Sequence, residues 1–247
     1  MSRVAVVTGG GSGLGESICA RFGADGHRIA VLDLNEEAAA KVVAAIDAEG
    51  GEALAVGVDV SDEASVHAAF DRVRTQFGPV EILVTSAAIG GFARFDQITL
   101  AEWNRFLAVN LTGTFLSLRA ALGDMVPAGW GRIVTISSAA GQQGAPRQGH
   151  YSATKGGVIA LTKTVARDYA AKGITANTIP PFAIETPMLR EQQRHGKLPP
   201  TEYLTQAIPA GHLGSPEDVA GLCSYLCSDG AGYVTGQVIG VNGGAVV

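Results

Sequence analysis

Tyr151 and Lys155 stand four residues apart in the run Tyr151-Ser152-Ala153-Thr154-Lys155, a spacing that puts a phenol and an ammonium on one side of a helix turn. The pair reads as an acid/base device. With roughly 5 Å between the charges and an effective dielectric near 20, the attraction is about 3 kcal/mol, or about two pKa units. The ammonium is therefore expected to bring the phenol down to about 8, within reach of proton exchange with an alcohol oxygen. Tyr and Lys also meet at this spacing on solvated helix faces, so the assignment needs a second feature nearby.

That feature is a glycine turn. The apolar run Arg3-Val4-Ala5-Val6-Val7 leads into Thr8-Gly9-Gly10-Gly11-Ser12-Gly13-Leu14-Gly15, and helical spacing resumes at Glu16. Strand, glycine turn and helix in that order form a dinucleotide cradle. Glycine lets the backbone approach a ligand, and the first helical turn offers unpaired N–H groups to a pyrophosphate. Asp33 ends the next strand-like run, where an acid binds an adenosine ribose. The bland alternative is a tight turn with no ligand.

With these motifs in place, nearly the whole chain resembles the short-chain dehydrogenase/reductase family in its shorter form. Thr8, Gly9, Gly13 and Gly15 match the family's glycine motif. The resemblance implies a catalytic set of Asn110, Ser138, Tyr151 and Lys155, with Ser138 aiding the substrate oxygen and Asn110 holding a water that links Lys155 to solvent. It implies dinucleotide contacts from Gly9, Ser12, Gly13, Leu14, Gly15, Asp33, Leu34, Asp59, Val60, Ser86, Ala87, Tyr151, Lys155, Pro181, Ile184 and Thr186. Asp33 would accept hydrogen bonds from ribose hydroxyls and repel a 2′-phosphate, and Ser12 stands where NADP-preferring members often carry arginine. NAD is thus the expected cofactor. The resemblance also implies a homotetramer.

Two departures stand out. Ser86-Ala87-Ala88 replaces the usual Asn-Ala-Gly, and Pro181-Phe182 replaces Pro-Gly after the sixth strand. A ring at Phe182 is expected to restrict φ and narrow the nicotinamide site. Residues 187–214 resemble the family's lid. Met188, Leu189, Leu198, Tyr203, Leu204 and Ile208 are expected to line an apolar pocket with Phe92 and Phe95. A steroid-like lipophilic alcohol fits such a pocket. Arg190, Arg194 and Lys197 raise instead a 3-oxoacyl or 3-hydroxyacyl thioester, or simply a solvated face. The reaction expected is NAD(H)-dependent interconversion of a secondary alcohol and a ketone. A dinucleotide-binding sensor or scaffold without turnover is the alternative.

The elements that must position these groups follow from periodicity. Apolar strand-like runs recur at residues 3–7, 28–33, 53–56, 81–84, 132–136, 175–179 and 237–240, with helical patterns between them. Alternation of this kind implies a single α/β domain over residues 1–247, a Rossmann-type doubly wound parallel sheet of about seven strands with helices on both faces. At 247 residues, with no linker or low-complexity tract, one domain accommodates the chain.

The formal charge of −5 argues against a general nucleic-acid surface. Apolar stretches look interrupted short of a membrane span, and Met1-Ser2-Arg3 leads into a strand rather than a signal peptide, so a cytoplasmic location without membrane insertion is expected. Cys19, Cys223 and Cys227 form no metal or disulfide pattern and read as small buried hydrophobes. No metal is expected. Of the five histidines only His150, beside Tyr151, is placed to touch substrate.

Overall fold

The computed structural model describes residues 2–247. Six parallel strands form its sheet: β1 (Val4–Thr8), β2 (Arg28–Asp33), β3 (Glu52–Gly57), β4 (Ile82–Thr85), β5 (Gly131–Ile136) and β6 (Ile174–Ile179), in the spatial order β3-β2-β1-β4-β5-β6. Most are short and rich in β-branched residues, as strands covered on both faces must be, whereas β3 at the sheet edge is only partly buried. Side chains alternate between two cores. Val4 and Val6 join Leu83, Phe70 and Met125 on one side, while Ala5 and Val7 join Ile18, Phe22, Val134 and Leu226 on the other. A one-residue slip of β1 would exchange these sets, so burial on both faces pins the register.

Helices α1 (Gly13–Ala24) and α2 (Glu36–Ala48) follow β1 and β2, and α3 (Glu63–Phe77) follows β3. Their starts are marked by Ser12, Asn35 and Asp62. The latter two accept hydrogen bonds from first-turn N–H groups, whereas Ser12 makes no such side-chain bond. After β4, helix α4 (Leu100–Phe106) passes through a π-helical turn (Leu107–Thr112) into α5 (Gly113–Ala128). This helical run has the length and apolarity of a membrane span, contrary to the reading of interrupted stretches. Leu116, Leu118, Ala121 and Met125 of α5 are buried in the first core, which accounts for the apolarity.

Beyond β5 come α6 (Ala139–Gln143) and the long α7 (Gly149–Tyr169), and beyond β6 come α8 (Pro187–Arg194), α9 (Thr201–Gln206) and α10 (Pro216–Cys227).

The sheet has six strands rather than about seven. The segment expected as a seventh touches β6 and its continuation only through isolated bridges, Thr178 with Val238 and Pro181 with Val241. Thr178 N donates to Gln237 O, Ile239 N to Thr178 O and Phe182 N to Val241 O. The donor that would fill the gap belongs to residue 180, which is proline and has no N–H. Chemistry, rather than distance, interrupts this ladder.

Candidate active site

Strand order reverses between β1 and β4, and a crevice opens there beyond the carboxyl ends of the strands. One part is a cleft of about 550 Å³ running from Asp33, Leu34, Asp59 and Val60 past Gly9, Ser12, Gly13 and Leu14 to Ser86, Ala87 and Thr186. A second cavity of about 260 Å³ holds Ser138, Tyr151, Lys155, Pro181 and Ile184. Leu14, Ser86, Ala88, Thr186 and Met188 line both, making them one groove. A larger open channel of about 970 Å³ runs outside α8 among Arg21, Arg190, Arg194, Glu16, Glu185 and Glu217. Its charges are balanced and none of the four expected catalytic side chains reaches it.

The glycine turn is built for close approach. Gly9 sits at φ 66°, and a Cβ there would lie 2.7 Å from the backbone of Ala87. A Cβ on Gly15 would lie 2.0 Å from Gly9 O, so Gly15 lies behind the cleft wall and lets helix and turn pack. Because Ser12 leaves the first turn of α1 uncapped, its N–H groups are available to an anion. Asp33 accepts from Gly11 N and Asn35 N at 2.9 Å each, which aims its carboxylate at the turn. Asp59 accepts from Ser61 N and Oγ. These groups fit the phosphates and ribose of a dinucleotide. Arg105 of α4, which the sequence did not flag, is the one cation lining this cleft among the described residues. Only its place five residues before Asn110 could have suggested it.

At the other end, Tyr151 and Lys155 lie in the first two turns of α7, with Lys155 fully buried behind. The expected tuning of one by the other is not what the structure has. Lys155 Nζ donates to Ile136 O at 2.8 Å and lies 5.8 Å from the phenol ring centroid. Burial pushes the Tyr151 pKa up, and the Ser138 hydroxyl pulls it partly back. Burial also lowers Lys155 to about 8. Helical spacing brought the two side chains close, but the ammonium turns to a buried strand-end carbonyl instead of the phenol.

Ser138 follows β5 and caps α6 by accepting from Ala140 N at 3.2 Å, so a capping role and a place beside the phenol coexist. Asn110 lies in the π-helical turn, fully buried. Its Oδ1 accepts from Ile89 N at 2.8 Å, and its Nδ2 donates to Ile89 O at 3.0 Å and Thr154 Oγ1 at 3.3 Å. Its side chain therefore ties the loop after β4 to α7 and is not turned toward Lys155.

His150 does not reach the cavity. It is buried, stacked 3.8 Å from Phe106, with Nδ1 accepting from Tyr151 N at 2.8 Å and Nε2 3.4 Å from Glu102 Oε1. With Nδ1 accepting, Nε2 is the ring nitrogen placed to donate toward Glu102.

Phe182 borders the cavity without backbone strain, since Arg147 is the only non-glycine residue at positive φ among the described residues. The expected conformational restriction is absent, and only the ring's bulk remains. Met188, Leu189, Leu198, Leu204 and Phe92 line the cavity as expected. Tyr203 and Phe95 point to solvent, and Ile208 is buried elsewhere, beneath Gly243. Arg190 pairs with Glu185 at 2.7 Å, outside the cavity.

Comparison with known proteins agrees with this geometry. The family profile described as Enoyl-(Acyl carrier protein) reductase matches residues 9–246. An acetoacetyl-CoA reductase of Rhizobium meliloti (strain 1021) is 41% identical over 247 residues, covering 99% of this chain and 98% of that protein. The 3beta-hydroxysteroid dehydrogenase 1 of Eggerthella lenta is 40% identical over 98% of this chain and 93% of its own length. The crystal structure of levodione reductase superposes with a TM-score of 0.94 at 34% identity, over 98% of this chain and 96% of that one.

Proposed function

The chain belongs to the short-chain dehydrogenase/reductase family, and from that premise we propose an NAD(H)-dependent oxidoreductase that interconverts a secondary alcohol and a ketone. The observation that carries this is the meeting of Ser138, Tyr151 and Lys155 in a cavity continuous with a dinucleotide-shaped cleft. Bound there, a nicotinamide dinucleotide supplies or accepts the hydride. Tyr151 gives its proton to the carbonyl oxygen in reduction and, as phenolate, takes the alcohol proton in oxidation. Ser138 hydrogen-bonds the same oxygen as charge develops on it. Lys155 holds the nicotinamide ribose, and Asn110 fixes the loop and helix between which the dinucleotide lies. The raised Tyr151 pKa keeps the phenol protonated at neutral pH. Reduction is therefore favoured near neutrality and oxidation in alkali.

Asp33 supports NAD over NADP, because a 2′-phosphate would meet its carboxylate. Residues 187–214, among them Met188, act as a lid over the shared part of the groove next to Thr186. The substrate classes raised by the sequence, a 3-oxoacyl or 3-hydroxyacyl thioester and a steroid-like alcohol, each have a similarly named relative. Family resemblance adds a homotetramer. In Tyr151→Phe, turnover of any accepted alcohol should fall by about 10²–10⁴-fold, while NADH affinity, read by fluorescence titration, stays within about twofold. Unchanged turnover would refute the proposal. Tight NAD binding without redox activity on a broad ketone and alcohol panel would favour a sensor or scaffold.

A further inference from the structure

The catalytic cavity is small, holds one ammonium and no acidic group, and carries three amides. This end of the groove, at about 260 Å³, is smaller than the 550 Å³ nucleotide end with which it is continuous. The nicotinamide must share this space, since Pro181, Ile184 and Thr186 are in the same wall. Phe182 closes part of that wall. No Asp, Glu, Arg or His lines it. Its one ammonium, on Lys155, is held by Ile136 O. A carboxylate or phosphate brought inside would meet no guanidinium or imidazole, and the ammonium is already engaged with Ile136 O.

Against this apolar wall stand three carboxamides, Gln143, Gln148 and Gln192. None makes a side-chain hydrogen bond among the described residues. Neighbouring Gln193, by contrast, is held by Pro199 O and Thr201 Oγ1. Gln148 and Gln192 are half-buried, so their amides are partly withdrawn from water. The residue before Gln148, Arg147, sits at φ 62°, a conformation uncommon for side chains other than glycine. Its carbonyl is fastened by Ala93 N at 2.8 Å. Strain of this kind persists where the surroundings over-determine it, often at ligand sites.

Resting on the oxidoreductase reading above, we propose that the substrate is a compact, uncharged molecule carrying a second oxygen beyond the reacting one, a diol, hydroxyketone or diketone. Gln148 and Gln192 read that distal oxygen, and Phe182 limits size. In the oxidative direction the carbinol carbon loses hydride to NAD⁺ and the hydroxyl loses its proton to the Tyr151 phenolate, leaving a ketone and NADH.

The test is a kcat/KM panel of the full-length chain with NAD⁺. It comprises cyclohexanol, the cyclohexane-1,2- and 1,4-diols and a 3-hydroxysteroid, together with acetoacetyl-CoA and NADH in the reductive direction. At least one diol should exceed cyclohexanol by tenfold or more, since a buried amide left unpaired penalises the analogue lacking the oxygen. In Gln148→Leu and Gln192→Leu the diol-to-cyclohexanol ratio should fall toward one, whereas a merely structural effect would lower both and keep the ratio. Phe182→Ala should raise the steroid-to-diol ratio at least tenfold. Equal use of cyclohexanol and diols, or ratios unmoved by all three variants, overturns the inference. So does turnover of only the steroid or the thioester, an outcome that leaves the oxidoreductase reading standing. Absence of turnover on every compound overturns both.

Discussion

The two ends of the groove are built by different means. The nucleotide end is made of backbone: a glycine turn, an uncapped helix start and carboxylates fixed by backbone N–H groups, those of Gly11 and Asn35 for Asp33 and of Ser61 for Asp59. The catalytic end is made of side chains from elements distant in sequence, namely Ser138 after β5, Tyr151 and Lys155 on α7, and Phe182 after β6. Local backbone geometry tolerates no extra atom, whereas a side-chain assembly can be retuned by its surroundings. The nucleotide end should therefore fail by steric exclusion and the catalytic end by altered proton chemistry.

Gly15→Ala strikes the first kind of construction hardest. Its new Cβ would lie 2.0 Å from Gly9 O, so NADH affinity in a fluorescence titration should drop about 100-fold or more, on the order of 3 kcal/mol. Retention of wild-type affinity would mean that the turn is not the phosphate cradle. Asp33→Ala removes a charge but no backbone, and the NAD-to-NADP ratio of kcat/KM should fall about tenfold or more, with Arg105 left as the cleft's cation.

At the catalytic end, Lys155→Met should abolish turnover yet stabilise the fold at pH 7 by about 1–3 kcal/mol. Burial depresses the lysine from 10.5 to about 8. The unfolded chain thus binds the extra proton between those values, and wild-type stability rises with pH across that window and is lower below it. Urea melts at pH 7 and pH 10 should show this rise in the wild type and not in the variant. The subtlest readout is the pH profile of Ser138→Ala, beyond its loss of turnover. Because Ser138 is what lowers the phenol's pKa, the pH at which the oxidation rate rises should move higher, and a downward move would contradict the assigned cause.

How far the sequence could be read follows the same division. The glycine turn, Asp33, Asp59 and the alternation of strands and helices were legible because each is marked by a contiguous run of residues at the end of a strand. The Tyr151–Lys155 spacing was legible too, but not its electrostatics. Where Lys155 points depends on Ile136 O, a carbonyl on another strand. His150 looked reactive because it adjoins Tyr151, yet its environment is set by Phe106 and Glu102 from α4. Asn110 was visible as a motif, whereas its grip on Ile89 requires the π-helical turn, a distortion that spacing does not announce. Ser86, small in place of an amide, still lines the cleft beside Ala87, whose backbone packs closely on Gly9.

The missing donor at Pro180 reaches beyond strand counting. Residues 237–241 hang on the sheet by alternate clasps instead of a continuous seam, and the last of these, Phe182 N to Val241 O at 3.3 Å, is also the longest. Hydrogen–deuterium exchange at Ile239 should accordingly outpace that of the β5 amides, so that the edge behind Phe182 breathes while the strands beneath the nucleotide stay shut. A protein assembled this way can admit successive small molecules at one end without loosening its hold on the coenzyme at the other.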